Sequence, residues 1–379
     1  MSTRFLPLLA ALCLAPPLIS TAHAECAARK HRSLPKGSWL VHEENDVLLL
    51  HSTDNGYTQG LRLGYSWQPD CEWRWLDRFA DFTEHTLHFD KLLFGDPAEL
   101  TRWTSFGGGQ HIFTPTDLAA HDLIADDRPY AGWLYAMIRN DYVTREHALP
   151  GKPFLTQAQT SLEYQLGIVG KESLAGDAQK FLHDDVFPSQ HPNGWSHQLG
   201  TEPGVLLRYQ WQGRLAHEGG WFDVVPDYSV AAGNIQIYGG AGLTLRLGQN
   251  ISGFPTRTLG PSLFNFAMSS VESTDSRQRR CLFSWLAECY VFANAEARYF
   301  ARNLFLDGST WRDSHHVDKE RNVNTWSAGF RLRLVPHNIT FNYVYTWRGR
   351  EFWPVPQDAE RADGSHEYGA LTVNWDTRF

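Results

Sequence analysis

Long apolar runs are what this 379-residue sequence most conspicuously lacks. Beyond its first twenty-odd residues, no stretch approaches the roughly 18 consecutive apolar residues of a spanning helix, which excludes a helical membrane protein. Positive charge is also short, with 34 Lys and Arg against 42 Asp and Glu and a net charge of -8. That balance argues against nucleic acid as a partner. The short catalytic signatures are missing too. There is no G-x-S-x-G elbow, no H-E-x-x-H, no P-loop and no closely spaced Cys/His zinc pattern. Neither a serine nucleophile nor a zinc hydrolase is therefore signalled.

Cysteine is scarce, and its placement follows from the N-terminus. Arg4, the apolar run from Phe5 to Ile19 and Ala22-His23-Ala24 read as an export leader with a small-x-small cleavage site. The expected organisation is a signal peptide over 1–24 and one domain over 25–379. Four of the five cysteines survive cleavage: Cys26, Cys71, Cys281 and Cys289. Four cysteines in an exported chain allow three disulfide connectivities. Proximity favours Cys281–Cys289 and Cys26–Cys71, with free thiols as the open alternative.

What the chain has in quantity is aromatic side chains, 13% of residues with 15 Trp, set in stretches of strict alternation. Leu243, Leu245 and Leu247 alternate with Thr244 and Arg246. Ile339, Phe341, Tyr343, Tyr345 and Trp347 stand opposite Thr340, Asn342, Thr346 and Arg348. Leu371, Val373, Trp375, Thr377 and Phe379 stand opposite Thr372, Asn374, Asp376 and Arg378. A β-sandwich alternates as well, but its two faces need not be aromatic at strand ends and arginine-bearing opposite. A lipid-facing band around a polar lumen gives that pattern directly.

The expected fold is an all-β, transmembrane antiparallel β-barrel of about 12 strands, closed so that no edge is left unpaired in lipid. The strands are expected near 38–50, 57–68, 102–113, 130–143, 155–169, 200–213, 221–233, 236–248, 290–302, 322–335, 337–349 and 367–379. With both termini periplasmic, parity assigns 51–56, 114–129, 170–199, 303–321 and 350–366 to the outside. A short helix is expected in an extracellular loop, over Lys171 to Asp184. There Leu174, Ala178 and Phe181/Leu182 recur at helical spacing, and Gln179 and His183, four apart, share another face.

The chemistry-bearing residues gather at the first hairpin and at that helix. Glu43 to Gly60 carries Asn45, Asp46 and Thr58, with Thr58 in phase with Arg62 and Ser66 and so expected on the polar face. Asp127-Arg128 reads as a structural ion pair, and the acidic, His-rich Asp307 to Asp318 as a solvated loop.

Set in order, these pieces resemble the outer-membrane lipid A 3-O-deacylase family (LpxR type). The matching segments are END at 44–46, YTQGLRLGY at 57–65, FTPTDL at 113–118 and DDRPYAGWLY at 126–135. The helix with Gln179 and His183, GWSHQLGTEPG at 194–204 and ARNLFLDGSTWRDSHHVDK at 301–319 complete the set. Gln59 departs from the Asn that often follows the YT pair. The resemblance implies a twelve-stranded barrel that hydrolyses the 3'-position acyloxyacyl group of lipid A, with lipopolysaccharide as substrate. It implies calcium as cofactor and His183 as the base that activates water. Gln179 would support His183, Asn45, Asp46 and Thr58 would form the hairpin part, and Asp46 and Asn45 would be metal ligands. The expected setting is the outer membrane of a Gram-negative bacterium, reached through the barrel assembly machinery, as a monomer. The rival readings are a calcium-dependent outer-membrane phospholipase and a catalytically inactive barrel or porin.

Overall fold

The computed structural model describes residues 37–49, 56–68, 100–144, 154–183, 191–215, 221–251, 253–254, 281, 285–335, 337–354 and 363–377. The leader expected over 1–24, Cys26 and Cys71 lie outside them. In chain order the strands are β1 Gly37–Asn45, β2 Gly56–Trp67, β3 Leu100–Thr114, β4 Ala131–Thr144, β5 Leu155–Val169, β6 Glu202–Leu215 and β7 Phe222–Gly233. There follow β8 Gln236–Gln249, β9 Leu286–Asn303, β10 Asp318–Lys319, β11 Asn322–Leu334, β12 Ile339–Arg348, β13 Phe352–Trp353 and β14 His366–Asp376. Two short helices stand beside them, α1 Ala175–Phe181 and α2 Leu304–Asp307.

Twelve of the strands close one antiparallel barrel, each paired with its neighbours in order and β1 sealed against β14. Trp39 lies opposite Trp375 at that seam. The two remaining strands, β10 and β13, pair with each other and tie together two outer loops. Every expected strand is found, with ends shifted by a few residues.

The alternation resolves into an outer and an inner side. Leu243, Leu245 and Leu247 are exposed, while Thr244 and Arg246 between them are fully buried. Inside, charge is neutralised side chain by side chain. Glu163 accepts from Arg62 at 2.8 Å and Arg208 at 2.9 Å, with Arg139 at 3.5 Å, so one carboxylate gathers arginines from three other strands. Asp223 does the same for Arg214 and Arg246. An unpaired charge buried in this way would cost several kcal/mol, so such clusters are kept whole.

The outer half of the interior is filled by an apolar cluster drawn from around the barrel. Leu40, Tyr57, Phe113, Trp133, Tyr238, Phe300, Val323 and Tyr368 meet there, joined by Leu304 and Phe305 of α2. Phe305 stacks on Phe113 at 4.0 Å.

The outer loops fold over this plug. Asp127 accepts from the backbone N–H groups of Thr116 and Arg128, both at 2.6 Å, and its backbone oxygen is 2.7 Å from His315 Nε2. Burial raises the Asp127 carboxyl above its ordinary range. The ion pair expected at Asp127-Arg128 is instead made with Glu351, which takes Arg128 at 2.6 Å and Arg348 at 2.8 Å. Asp307 is a structural residue, accepting from Lys319 at 2.6 Å and from Asn303 N at 2.8 Å.

Cys281 and Cys289 are both free thiols, where proximity had favoured a bridge. Cys289 sits in the β9 ladder opposite Gln249. Cys281 docks at the end of β8, near Asn250 Nδ2 at 3.9 Å and Gln249 O at 3.8 Å.

Candidate active site on the outer side of the wall

The first hairpin does not keep one phase along its length. On β1, Ser38, Leu40, His42 and Glu44 are buried toward the lumen. Trp39 and Val41 are exposed outward, and Glu43 and Asn45 follow them on that outward side. The strand then ends in a single 3₁₀ turn, Asp46–Leu48, with Asp46 buried.

On β2 the register slips between Tyr57 and Gln59. This bulge sends Tyr57 into the lumen, where its hydroxyl donates to Glu44 Oε2 at 2.7 Å and meets His111 Nδ1 at 3.0 Å. Thr58 is thereby released from the phase of Arg62 and Ser66. Its hydroxyl pairs with that of Thr114 at 2.6 Å. The expectation that Thr58 points with Arg62 is corrected by this one extra residue, since a bulge re-aims the side chains on one side of it.

Thr114 shares its side of β3 with Gln110 and Ile112, and that side carries the helix. Gln110 Nε2 donates to Ser173 O at 2.6 Å. Ile112 packs in one cluster with Leu118, Tyr130, Ala175 and Trp195, and Ala178 of α1 lies against it. Gly132 on β4 sits directly beneath. A Cβ there would collide with Ser173 Oγ and Ala175 Cβ, so the helix approaches the wall as closely as backbone allows. The helix therefore stands on the outside of the barrel, at its outer rim.

A 3₁₀ turn, Lys171–Ser173, leads into α1 through Leu174, which adopts a left-handed conformation at φ 59. The face that turns to the wall carries small apolar and polar side chains together. Leu174 and Phe181 are more than half exposed, whereas Ala175, Gln179 and His183 are buried. Asp177 and Lys180 share the exposed side with Leu174 and Phe181.

Gln179 is held from above. Trp195, from the short helical turn Gly194–His197, donates its indole N–H to Gln179 Oε1 at 2.8 Å. Trp195 rests in turn on Tyr130, ring centres 4.9 Å apart, and burial pushes the Tyr130 hydroxyl up to about 12.

The residues singled out in the sequence thus fall into two groups on one side of the wall. Asn45 and Thr58 lie at the tops of β1 and β2, with Asp46 beginning the turn above. Gln179 lies on α1 above β3 and β4, and His183 lies two residues past the end of that helix. The link between the groups is β3, through Thr114 on one hand and Ile112 on the other. Sequence reasoning missed Thr114, Trp195 and the Tyr57–Glu44–His111 anchor. Thr114 and Trp195 lay in the motifs FTPTDL and GWSHQLGTEPG, but neither motif reveals a partner.

A closed twelve-stranded barrel with an aromatic, lipid-facing exterior and a plugged interior defines an outer-membrane barrel protein. The family described as Outer membrane protein LpxR matches residues 8–377, and the chain belongs to that family. LpxR from Salmonella typhimurium is similar in structure, with a TM-score of 0.60 at 18% identity over 89% of this chain and 99% of that one. The β domain of the Bordetella autotransporter Brka is aligned over 91% of this chain and all of its own, at 8% identity and a TM-score of 0.40. No curated protein sequence matches the chain.

Proposed function

We propose that this protein is a lipid A deacylase of the outer leaflet, hydrolysing the ester that holds the 3'-position acyloxyacyl group. The observation that carries this reading is the side of the wall on which α1 sits. A substrate delivered through the lumen would call for an open channel, whereas the outer half of the interior is filled by an apolar cluster. A lipid that never leaves the bilayer calls for polar groups outside, and the burial of Gln179 and His183 beside the outer wall supports that reading.

In this reading His183 takes a proton from water as the water attacks the ester carbonyl, since a neutral imidazole suits that task near pH 7. Gln179, pinned by Trp195, keeps the helix side of the site in one arrangement. The Thr58–Thr114 pair locks the rim of β2 to that of β3, so the hairpin group and the helix group keep their spacing. Among the described residues no group of three His, Cys, Asp or Glu side chains could hold a metal. A cation here would rest on one carboxylate, an amide, hydroxyls and backbone oxygens, which are the hard, mixed donors that calcium accepts. Asp46 and Asn45 are the side chains that would hold it, and its charge would offset the negative charge developing on the carbonyl oxygen.

The test is mass spectrometry of lipid A from cells with and without the gene, beside assays of the purified barrel on lipid A and on glycerophospholipid. Loss of the 3'-linked chain from lipid A, abolished by chelator and restored by calcium, is expected. Acyl loss from glycerophospholipid alone would make it a phospholipase. Conductance without hydrolysis would make it a porin.

A further inference from the structure

Glu43 stands where a carboxyl group is out of place. It follows Trp39 and Val41 along the outward side of β1, where those residues are 42% and 47% exposed. Its partners across the ladders are Leu61 on β2 and Leu371 on β14. A charged group on the lipid side of a barrel wall costs free energy that grows with depth. An ionisable residue in such a position marks a functional site by default.

Two amides hold it there. Gln59 Nε2 donates to Glu43 Oε1 at 2.9 Å, and the Asn45 side chain hydrogen-bonds the same carboxyl. Asn45 and Gln59 face each other directly across β1 and β2, two rungs above the Glu43–Leu61 pair. The three polar side chains therefore close a triangle on the outer side of the hairpin.

A carboxylate can only accept hydrogen bonds, so its bond to Asn45 must use the amide NH₂. The carbonyl oxygen of Asn45 is then the end offered elsewhere. An Asn amide is nearly symmetrical in shape, and without such a partner either end could be presented. We propose that Glu43 is a positioning residue, which fixes the Asn45 amide with its oxygen offered to calcium while Gln59 holds Glu43 in place. This rests on the calcium reading above. Outer carboxylates that orient a ligand side chain are a recurrent part of metal sites, and removing one typically costs 10–100-fold in affinity.

The experiment is calorimetric titration of the folded full-length protein in detergent with calcium chloride, which needs no substrate. Glu43→Gln can donate as well as accept, so the Asn45 amide loses its fixed sense. Kd should weaken about 10-fold or more, with melting temperature and heat-modifiable migration unchanged. Gln59→Met, which unpins Glu43 without altering a charge, should weaken Kd in the same direction. The deciding background is Asn45→Asp, whose carboxylate offers oxygen from either end. In that background Glu43→Gln should leave Kd unchanged or tighter. Wild-type affinity in Glu43→Gln overturns the proposal. Equal weakening in both backgrounds also overturns it, because Glu43 would then act as a charge or a direct ligand. If Asp46→Ala abolishes binding while Glu43→Gln does not, the calcium reading stands and this inference alone fails. If the wild type shows no saturable binding, both fail.

Discussion

Gly132 is where the outer helix comes closest to the barrel, and a side chain there probes whether catalysis depends on that approach. A Cβ would run into Ser173 Oγ and Ala175 Cβ. The first could turn aside, but the second is carried rigidly at the start of α1. Restoring ordinary van der Waals separation requires the helix to withdraw by on the order of 1 Å. Overpacking of this kind costs about 1–3 kcal/mol. The cost should fall on the helix rather than the ladder, because β4 keeps its pairing with β3 and β5. A misplacement on the order of 1 Å costs about 10²-fold in rate.

Gly132→Val should therefore insert normally, deacylate about 100-fold more slowly and exchange the amides of α1 faster. The reporter is Ala178 N–H, which bonds Leu174 O at 3.0 Å. Gly239→Val is the control, since nothing lies within 4 Å of a Cβ at that position on β8. The assay is initial rate on lipid A in mixed micelles, beside hydrogen exchange over 171–183. A wild-type rate in Gly132→Val, with exchange confirming that the helix has lifted, would refute the reasoning. So would an equal loss in Gly239→Val.

Three further outcomes are expected. His183→Asn should fold and lower turnover by about 10²-fold or more; near-native deacylation by an inserted protein would remove His183 from the mechanism. Leu243→Arg, mid-strand on the exposed side, should cost about 2–4 kcal/mol in refolding titrations, and Leu247→Arg, nearer the periplasmic end, about 0–1 kcal/mol. Equal costs would overturn the depth assignment. Burial would raise the Glu351 carboxyl, but Arg348 and Arg128 overcome it and hold the group well below the carboxylate range. A depressed carboxylate stabilises above its unfolded value of about 4.5, and that contribution is lost as pH falls through the folded one. Protease resistance of the outer loops should therefore decline below about pH 4.5. Glu351→Gln should be nicked already at neutral pH, because two buried guanidiniums lose their partner; unchanged resistance would count against the ion pair as the clasp.

The barrel was legible because each strand repeats one physical demand. Leu243, Leu245 and Leu247 must meet lipid while Thr244 and Arg246 must not, and the period of 2 records that demand in sequence. The site was legible only as residue types. Asn45, Asp46, Thr58, Gln179 and His183 could be named, but the side of the wall they use could not. At Thr58 one bulged residue reverses the phase, and nothing in YTQG distinguishes it from a regular strand. At α1 the helical period was visible, but not which of its faces meets the wall. Partners such as Thr114 and Trp195 are distant in sequence, so only the closed ladder reveals them.

Pairing within the protein explains how polar groups survive on the outside of a membrane barrel. Hydrocarbon offers no hydrogen bonds, so each outward polar side chain near it needs a partner within the protein. Here the partners are local and mutual. Glu43 has Gln59, Thr58 has Thr114, Gln110 has Ser173 O and Gln179 has Trp195. All stand at the outer ends of neighbouring strands or under α1. The helix covers these groups and leaves Leu174, Asp177, Lys180 and Phe181 on its exposed side. In the proposed reading, this cover lets the barrel hold a lipid's ester against polar groups without exposing them to acyl chains.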